Sequence, residues 1–85
     1  MIEDYIRNPR SVRALSVQLM KICDKYWTGN ESEDVLREYV NYVARHNKLL
    51  ENNGTAINRS IRTIIGRRRL DLVIRMLEGY QLKFW

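Results

Sequence analysis

Four glycines divide this chain into segments, and that division strongly constrains its fold. The residues between them are rich in apolar side chains that recur every three or four positions. This spacing is typical of amphipathic helices, and glycine is common just beyond a helix end. The sequence therefore predicts several short helices separated at Gly29, Gly54, Gly66 and Gly79.

The first two predicted helices lie between the N-terminus and Gly54. Helix 1 is expected to begin at Asn8-Pro9 and to end at Gly29, because Asn caps helices and Pro is tolerated in the first turn. Asn30 or Ser32 then caps helix 2, whose first turn is acidic. Whether helix 2 ends near His46 or continues to the break at Gly54 stays open.

The apolar pattern changes phase at Gly66. Before it, a helix capped at Thr55 would bury Ile57, Ile61, Ile64 and Ile65 on one face. After it, the apolar residues fall on roughly the opposite side of the same helical wheel; they are Leu70, Val73, Ile74 and Leu77. We therefore expect two helices, about 55–65 and 67–78, joined at Gly66. The alternative is one long helix packed on both sides.

The chain ends in an aromatic segment that we call the tail, residues 80–85. Its apolar and polar residues alternate, which indicates extended backbone, and Tyr80, Phe84 and Trp85 need a surface to cover them. That surface is the protein's own core, a dimer mate or another protein. Because 85 residues suit one core, we expect one all-α domain over 1–85, a compact bundle of about four helices with this tail packed back or used for association.

The composition offers little catalytic chemistry, so we expect no enzyme, no catalytic residue, no metal site and no cofactor. The lone thiol, Cys23, lies in the middle of the apolar stripe of helix 1, where a core role is expected. The lone imidazole, His46, suits a helix C-terminus. One cysteine, no secretory signal and no run of about 20 apolar residues favour a cytoplasmic protein without membrane contact.

All of the excess positive charge lies in residues 59–75. This stretch holds six arginines and one acid, Asp71, so it accounts for the whole formal charge of +5. Concentrated guanidinium groups bind phosphates and carboxylates. Asp71 is spaced to pair with Arg68 or Arg75, so part of the stretch could instead be a solvated salt-bridge ladder. The predicted binding residues are Arg59, Arg62, Arg67, Arg68, Arg69 and Arg75.

Two functional hypotheses follow from this stretch. In the first, a small basic helical protein contacts nucleic acid or a nucleoprotein through the arginines around Gly66. In the second, it is an adaptor or inhibitor that binds an acidic protein surface, such as a host defence machine that handles nucleic acid, in the manner of an anti-CRISPR protein. A homodimer, in which the arginines meet the acidic start of helix 2 on another copy, is also left open.

Several stretches resemble a family of small uncharacterised bacterial and phage-associated helical proteins. The matching segments are Tyr26-Trp27, Ser32-Glu33, Asn47-Lys48 with Leu50, and Gly66-Arg67-Arg68-Arg69-Leu70 with Leu72-Val73. They span the chain from helix 1 to the last helix and exclude the tail. The resemblance implies a phage or mobile-element setting, and it assigns no activity and no functional residue.

Overall fold

Three helices make up most of the computed structural model, which describes residues 9–51, 54 and 56–77. They are α1 (Val12–Trp27), α2 (Glu33–His46) and α3 (Arg59–Met76). Two short strands, β1 (Leu50–Glu51) and β2 (Ala56–Ile57), lie between α2 and α3. The predicted helical character is confirmed, whereas a bundle of four separate helices is not. The predicted tail contacts of Tyr80, Phe84 and Trp85 lie outside the described residues.

Helix α1 begins later than its sequence suggests. The Ser11 hydroxyl accepts a hydrogen bond from the Ala14 amide at 3.0 Å, which makes Ser11 the N-cap and leaves Pro9 outside the helix. The predicted start at Asn8-Pro9 is therefore wrong, since the Ser11 cap follows it. The predicted end at Gly29 is confirmed: the Asn30 amide donates to the Lys25 carbonyl at 2.8 Å, and Gly29, at φ 80°, donates to Tyr26.

Helix α2 has the cap and the acidic first turn that its sequence predicts. The Ser32 hydroxyl accepts from the Val35 amide at 3.2 Å, so Ser32 is the N-cap rather than Asn30. The helix ends at His46. Its buried Asn41 donates to the Met76 carbonyl at 2.8 Å, and this bond ties α2 to the last turn of α3.

The two-stranded sheet was not predicted. Leu50 pairs with Ile57 and Glu51 with Ala56 in antiparallel register. Strands of two residues are too short to show the alternation that identifies a strand in a sequence. The sheet also moves the start of α3: the Asn58 side chain accepts from the Ser60 amide at 2.9 Å, so the prediction of a Thr55 cap is wrong.

Helix α3 bends at Gly66. That residue has φ 84° and ψ 166°, a conformation that is essentially restricted to glycine, and helical geometry resumes at Arg67. Ile61 and Ile65 before the bend and Leu70 and Val73 after it are all buried. The bend therefore lets both apolar faces of one helical stretch meet the same core, as the phase change at Gly66 predicts.

The core lies mainly between α1 and α3, with α2 and the sheet closing its sides. Cys23 and Tyr39 are fully buried, and Leu72 and Met76 join the residues that the periodicity identified. Ile64, predicted to belong to the buried face, is instead 38% exposed. Among the described residues, no helix combines the length and apolarity needed to cross a membrane.

Candidate anion-binding groove

An open groove of about 460 Å³ lies along α3 on both sides of the bend at Gly66. We call it the arginine groove. Three of the six predicted arginines reach it, together with one hydroxyl and one buried apolar side chain. Its lining residues are Arg59, Arg62, Thr63, Arg67 and Leu70.

Helical spacing brings these side chains together. Arg59 and Arg62 lie three residues apart, so they project from one face of the first arm of α3. Arg67 follows the bend, and Leu70, which is only 4% exposed, lies one turn beyond it. Arg67 lies eight residues after Arg59 and four after Thr63, so helical spacing places all three on one side of α3, and the bend at Gly66 falls within that side.

The groove is lined by three positively charged side chains. Of the described residues that line it, none is acidic. Asp71 contacts Arg67, with Nε and Oδ1 3.3 Å apart, and both side chains are more than half exposed. Such an exposed pair is weak and is screened by salt. The sequence spacing also allowed Asp71 to pair with Arg68 or Arg75, but the ion pair that forms is with Arg67.

Arg69 points away from the groove and joins α3 to α1. Its Nε and Nη2 donate to the two carboxylate oxygens of Asp24 at 3.0 and 2.9 Å, while Nη1 donates to the Ile65 carbonyl at 3.1 Å. Hydrogen bonding to Asp24 raises the pKa of Arg69. Because these bonds span the bend and reach α1, Arg69 positions the second arm of α3.

Arg68 stacks on an aromatic ring. Its guanidinium carbon lies 4.5 Å from the centre of the Trp27 ring, at the end of α1. Arg68 is exposed and Trp27 half-buried. The three consecutive arginines after Gly66 therefore diverge: one lines the groove, one stacks on Trp27 and one pairs with Asp24.

Arg75 lies on a different part of the surface, where its positive charge acts on Glu33 at the start of α2. The pKa of Glu33 is lowered mainly by a hydrogen bond from Arg37, and Tyr26 and Arg75 lower it further by smaller amounts. Arg75 is therefore not one of the residues that line the groove.

Several residues of the site carry no clear signal in the sequence. Thr63 and Leu70 share the helical spacing of Arg59 and Arg62, but as uncharged residues they do not stand out as binding residues in the sequence. Asp24 and Trp27 lie 45 and 41 residues before their arginine partners, so no local spacing rule connects them. The sequence signal for these two partners is their spacing: Asp24 and Trp27 are three residues apart and so share one face of α1.

The lone thiol and the lone imidazole lie in different surroundings, since Cys23 is buried in the core and His46 is exposed. Burial raises the pKa of the Cys23 thiol to about 12, so the thiolate is strongly disfavoured. His46 is exposed and contacts the Tyr42 ring, with centroids 4.8 Å apart. Within the described part of the chain, no three His, Cys, Asp or Glu side chains are grouped so that they could hold a metal ion.

The fold and the groove define a small, predominantly helical protein with an arginine-lined surface site. The sequence profile of a family described as "conserved hypothetical protein" matches residues 6–78, and the chain belongs to that family. The match agrees with the resemblance seen in the sequence, and it ends before the tail. No curated protein matches the chain, and no solved structure matches it either.

Proposed function

We propose that this protein binds the phosphate backbone of a nucleic acid in the arginine groove. The observation that carries the proposal is the convergence of Arg59, Arg62 and Arg67 on one open surface without an acidic lining residue among those described. Guanidinium groups bind phosphate oxygens through paired N–H donors. An open groove also suits a polymer that continues beyond the site.

The distribution of charge supports the same proposal. Residues 59–75 supply the entire net charge of +5, so the electrostatic field is concentrated on one helix. Such a field speeds the approach of a polyanion and holds it without reading its sequence. We place this activity in the cytoplasm, where a lone buried thiol stays reduced, in keeping with the phage or mobile-element setting that the resemblance implies.

The test is binding of a labelled oligonucleotide, followed by fluorescence anisotropy over a range of salt concentrations. The logarithm of the association constant should fall linearly with the logarithm of salt concentration. In the variant Arg59→Gln, Arg62→Gln, Arg67→Gln, the slope should shrink by about one for each arginine removed. Glutamine keeps much of the side-chain length, so the comparison isolates charge.

A matched control removes three exposed arginines from other parts of the surface: Arg10→Gln, Arg13→Gln, Arg45→Gln. Both variants lower the net charge from +5 by three, to +2. The control should retain most of the wild-type affinity. Equal losses in the two variants would show that net charge alone causes binding, and no binding by the wild type at low salt would refute the proposal.

An acidic protein surface is the alternative ligand for the groove. In that case the protein is an adaptor or inhibitor of a host machine that handles nucleic acid, and oligonucleotides alone would not bind. The same groove variant separates the two ligands, because it should then lose a protein partner in a pull-down while the control variant retains it.

A further inference from the structure

The Arg68–Trp27 stack lies next to the arginine groove but is not part of its lining. Arg68 directly follows the lining residue Arg67, so their α-carbons are about 3.8 Å apart. We propose that this stack binds a base of a single-stranded nucleic acid whose phosphates occupy the groove. This inference rests on the proposed function and narrows its ligand to single strands.

The stack is held in place before any ligand arrives. Trp27 ends α1, packs against the core, and is followed by the turn at Gly29. The backbone at Arg68 is held close to α1, because the side chain of the next residue, Arg69, is bonded to Asp24 on α1. The packing of Trp27 and the Arg69–Asp24 bonds thus keep the guanidinium over the indole. A preorganised surface loses less conformational entropy on binding.

The chemistry of the pair suits a base better than a phosphate. Unpaired bases stack on aromatic rings and on arginine planes, largely without regard to sequence. Arg68 is exposed, so the side of its guanidinium that faces away from Trp27 is open to solvent. A duplex keeps its bases stacked on one another, whereas a single strand can turn one base toward this surface.

Arg68 differs from its two neighbouring arginines in the kind of group that it contacts. Arg67 and Arg69 each contact a carboxylate, Asp71 and Asp24 respectively. The contact that the structure gives Arg68 is with the Trp27 ring. An aromatic partner keeps the positive charge available to a nucleic acid, since it does not neutralise that charge as a carboxylate does.

The experiment compares two labelled oligomers of equal phosphate count with the full-length protein at low salt. One is a thymidine oligonucleotide about twelve residues long, within the range of single-strand sites. The other is the same backbone without bases. The thymidine oligomer should bind about five-fold or more tighter than the abasic one, which the groove still binds.

Two variants test the stack itself. Arg68→Lys keeps the charge and loses the planar group, and Trp27→Leu removes the ring. In both, the preference for thymidine over the abasic oligomer should disappear, while the groove arginines should still bind the abasic oligomer. Should Trp27→Leu not fold, as judged by circular dichroism, Arg68→Lys alone decides. In a Trp85→Phe background, the remaining indole emission should also change with thymidine and not with the abasic oligomer.

The outcomes separate this inference from the proposed function. If neither oligomer binds the wild type, the proposed function fails. If both bind equally, or if the preference persists in Arg68→Lys, the groove is retained as a phosphate site and the stack is refuted as a base site.

Discussion

Arg69 and Asp24 form a two-point contact that joins the second arm of α3 to α1. The two donor–acceptor distances are 3.0 and 2.9 Å, and the third nitrogen of the same guanidinium bonds the Ile65 carbonyl across the bend. Arg69 is therefore a positioning residue for the arginine groove, since it fixes the arm from which Arg67 projects. Its role differs from that of the arginines that line the groove.

Arg69→Lys should lower the free energy of unfolding by about 1 kcal/mol, because an ammonium group cannot keep both bonds to the carboxylate. The value is modest, since the side chains of Arg69 and Asp24 are 32% and 51% exposed. Urea denaturation of Arg69→Lys, Asp24→Asn and the double variant would give the coupling energy. A coupling near zero would show that the contact does not stabilise the fold.

Asn41→Leu should destabilise the protein by about 1 to 3 kcal/mol despite its similar side-chain volume. The Asn41 amide donates to the carbonyls of Arg37 and Met76 at 2.9 and 2.8 Å, and the residue is only 7% exposed. Leucine has no N–H group at this position, so the Met76 carbonyl loses the hydrogen bond that Asn41 donates. The urea midpoint measures the loss, with the exposed Asn30→Leu as the control, expected to change stability by about 0.5 kcal/mol or less.

The stability of the protein should fall as pH rises above 9. Burial raises the pKa of Cys23 from 9.0 to about 12, so the unfolded chain releases the thiol proton at a pH where the folded chain retains it. The stability that comes from keeping the thiol protonated is complete below pH 9 and is lost as pH approaches 12. Over that range the free energy of unfolding falls with a slope that approaches about 1.4 kcal/mol per pH unit. Burial also raises the pKa of Tyr39, which adds to the loss at higher pH.

Comparison with Cys23→Ala isolates the thiol, because Tyr39 is present in both proteins. Urea denaturation at several values between pH 7 and pH 10.5 should give a shallower decline for the variant. Parallel curves would contradict the assigned burial of the thiol. The folded wild type should also react slowly with a thiol-specific reagent, since its thiolate is disfavoured.

The helices could be predicted from the sequence where their signals are local. The turn at Gly29, the Ser32 cap and the phase change at Gly66 each follow from residues within a few positions of one another. The sheet could not be predicted, because its two-residue strands carry no periodicity. The different roles of the arginines could not be predicted either. Arg68 contacts Trp27 and Arg69 bonds to Asp24, and these partners come close only in the tertiary fold.

The bend at Gly66 lets both apolar faces of α3 reach the core, and Gly66→Ala tests its contribution to stability. A β-carbon added at Gly66 would meet no atom of a residue distant in the chain within 4 Å, so tertiary packing leaves room for the side chain. The cost comes from the backbone: φ 84° with ψ 166° is unfavourable for alanine, and the variant should lose about 1 to 3 kcal/mol of stability.

The variant can relieve that strain by straightening α3, which would turn Leu70 and Val73 away from the side of the helix that buries Ile61 and Ile65. The groove arginines would stay on one side of a straight helix, so the folded variant should keep most of its oligonucleotide affinity while it loses stability. Gly29→Asn is the control, because Asn tolerates the positive φ of a helix C-terminal turn and Gly29 lies outside the groove. Unchanged stability in Gly66→Ala would mean that the bend is not required to bury both apolar faces of α3.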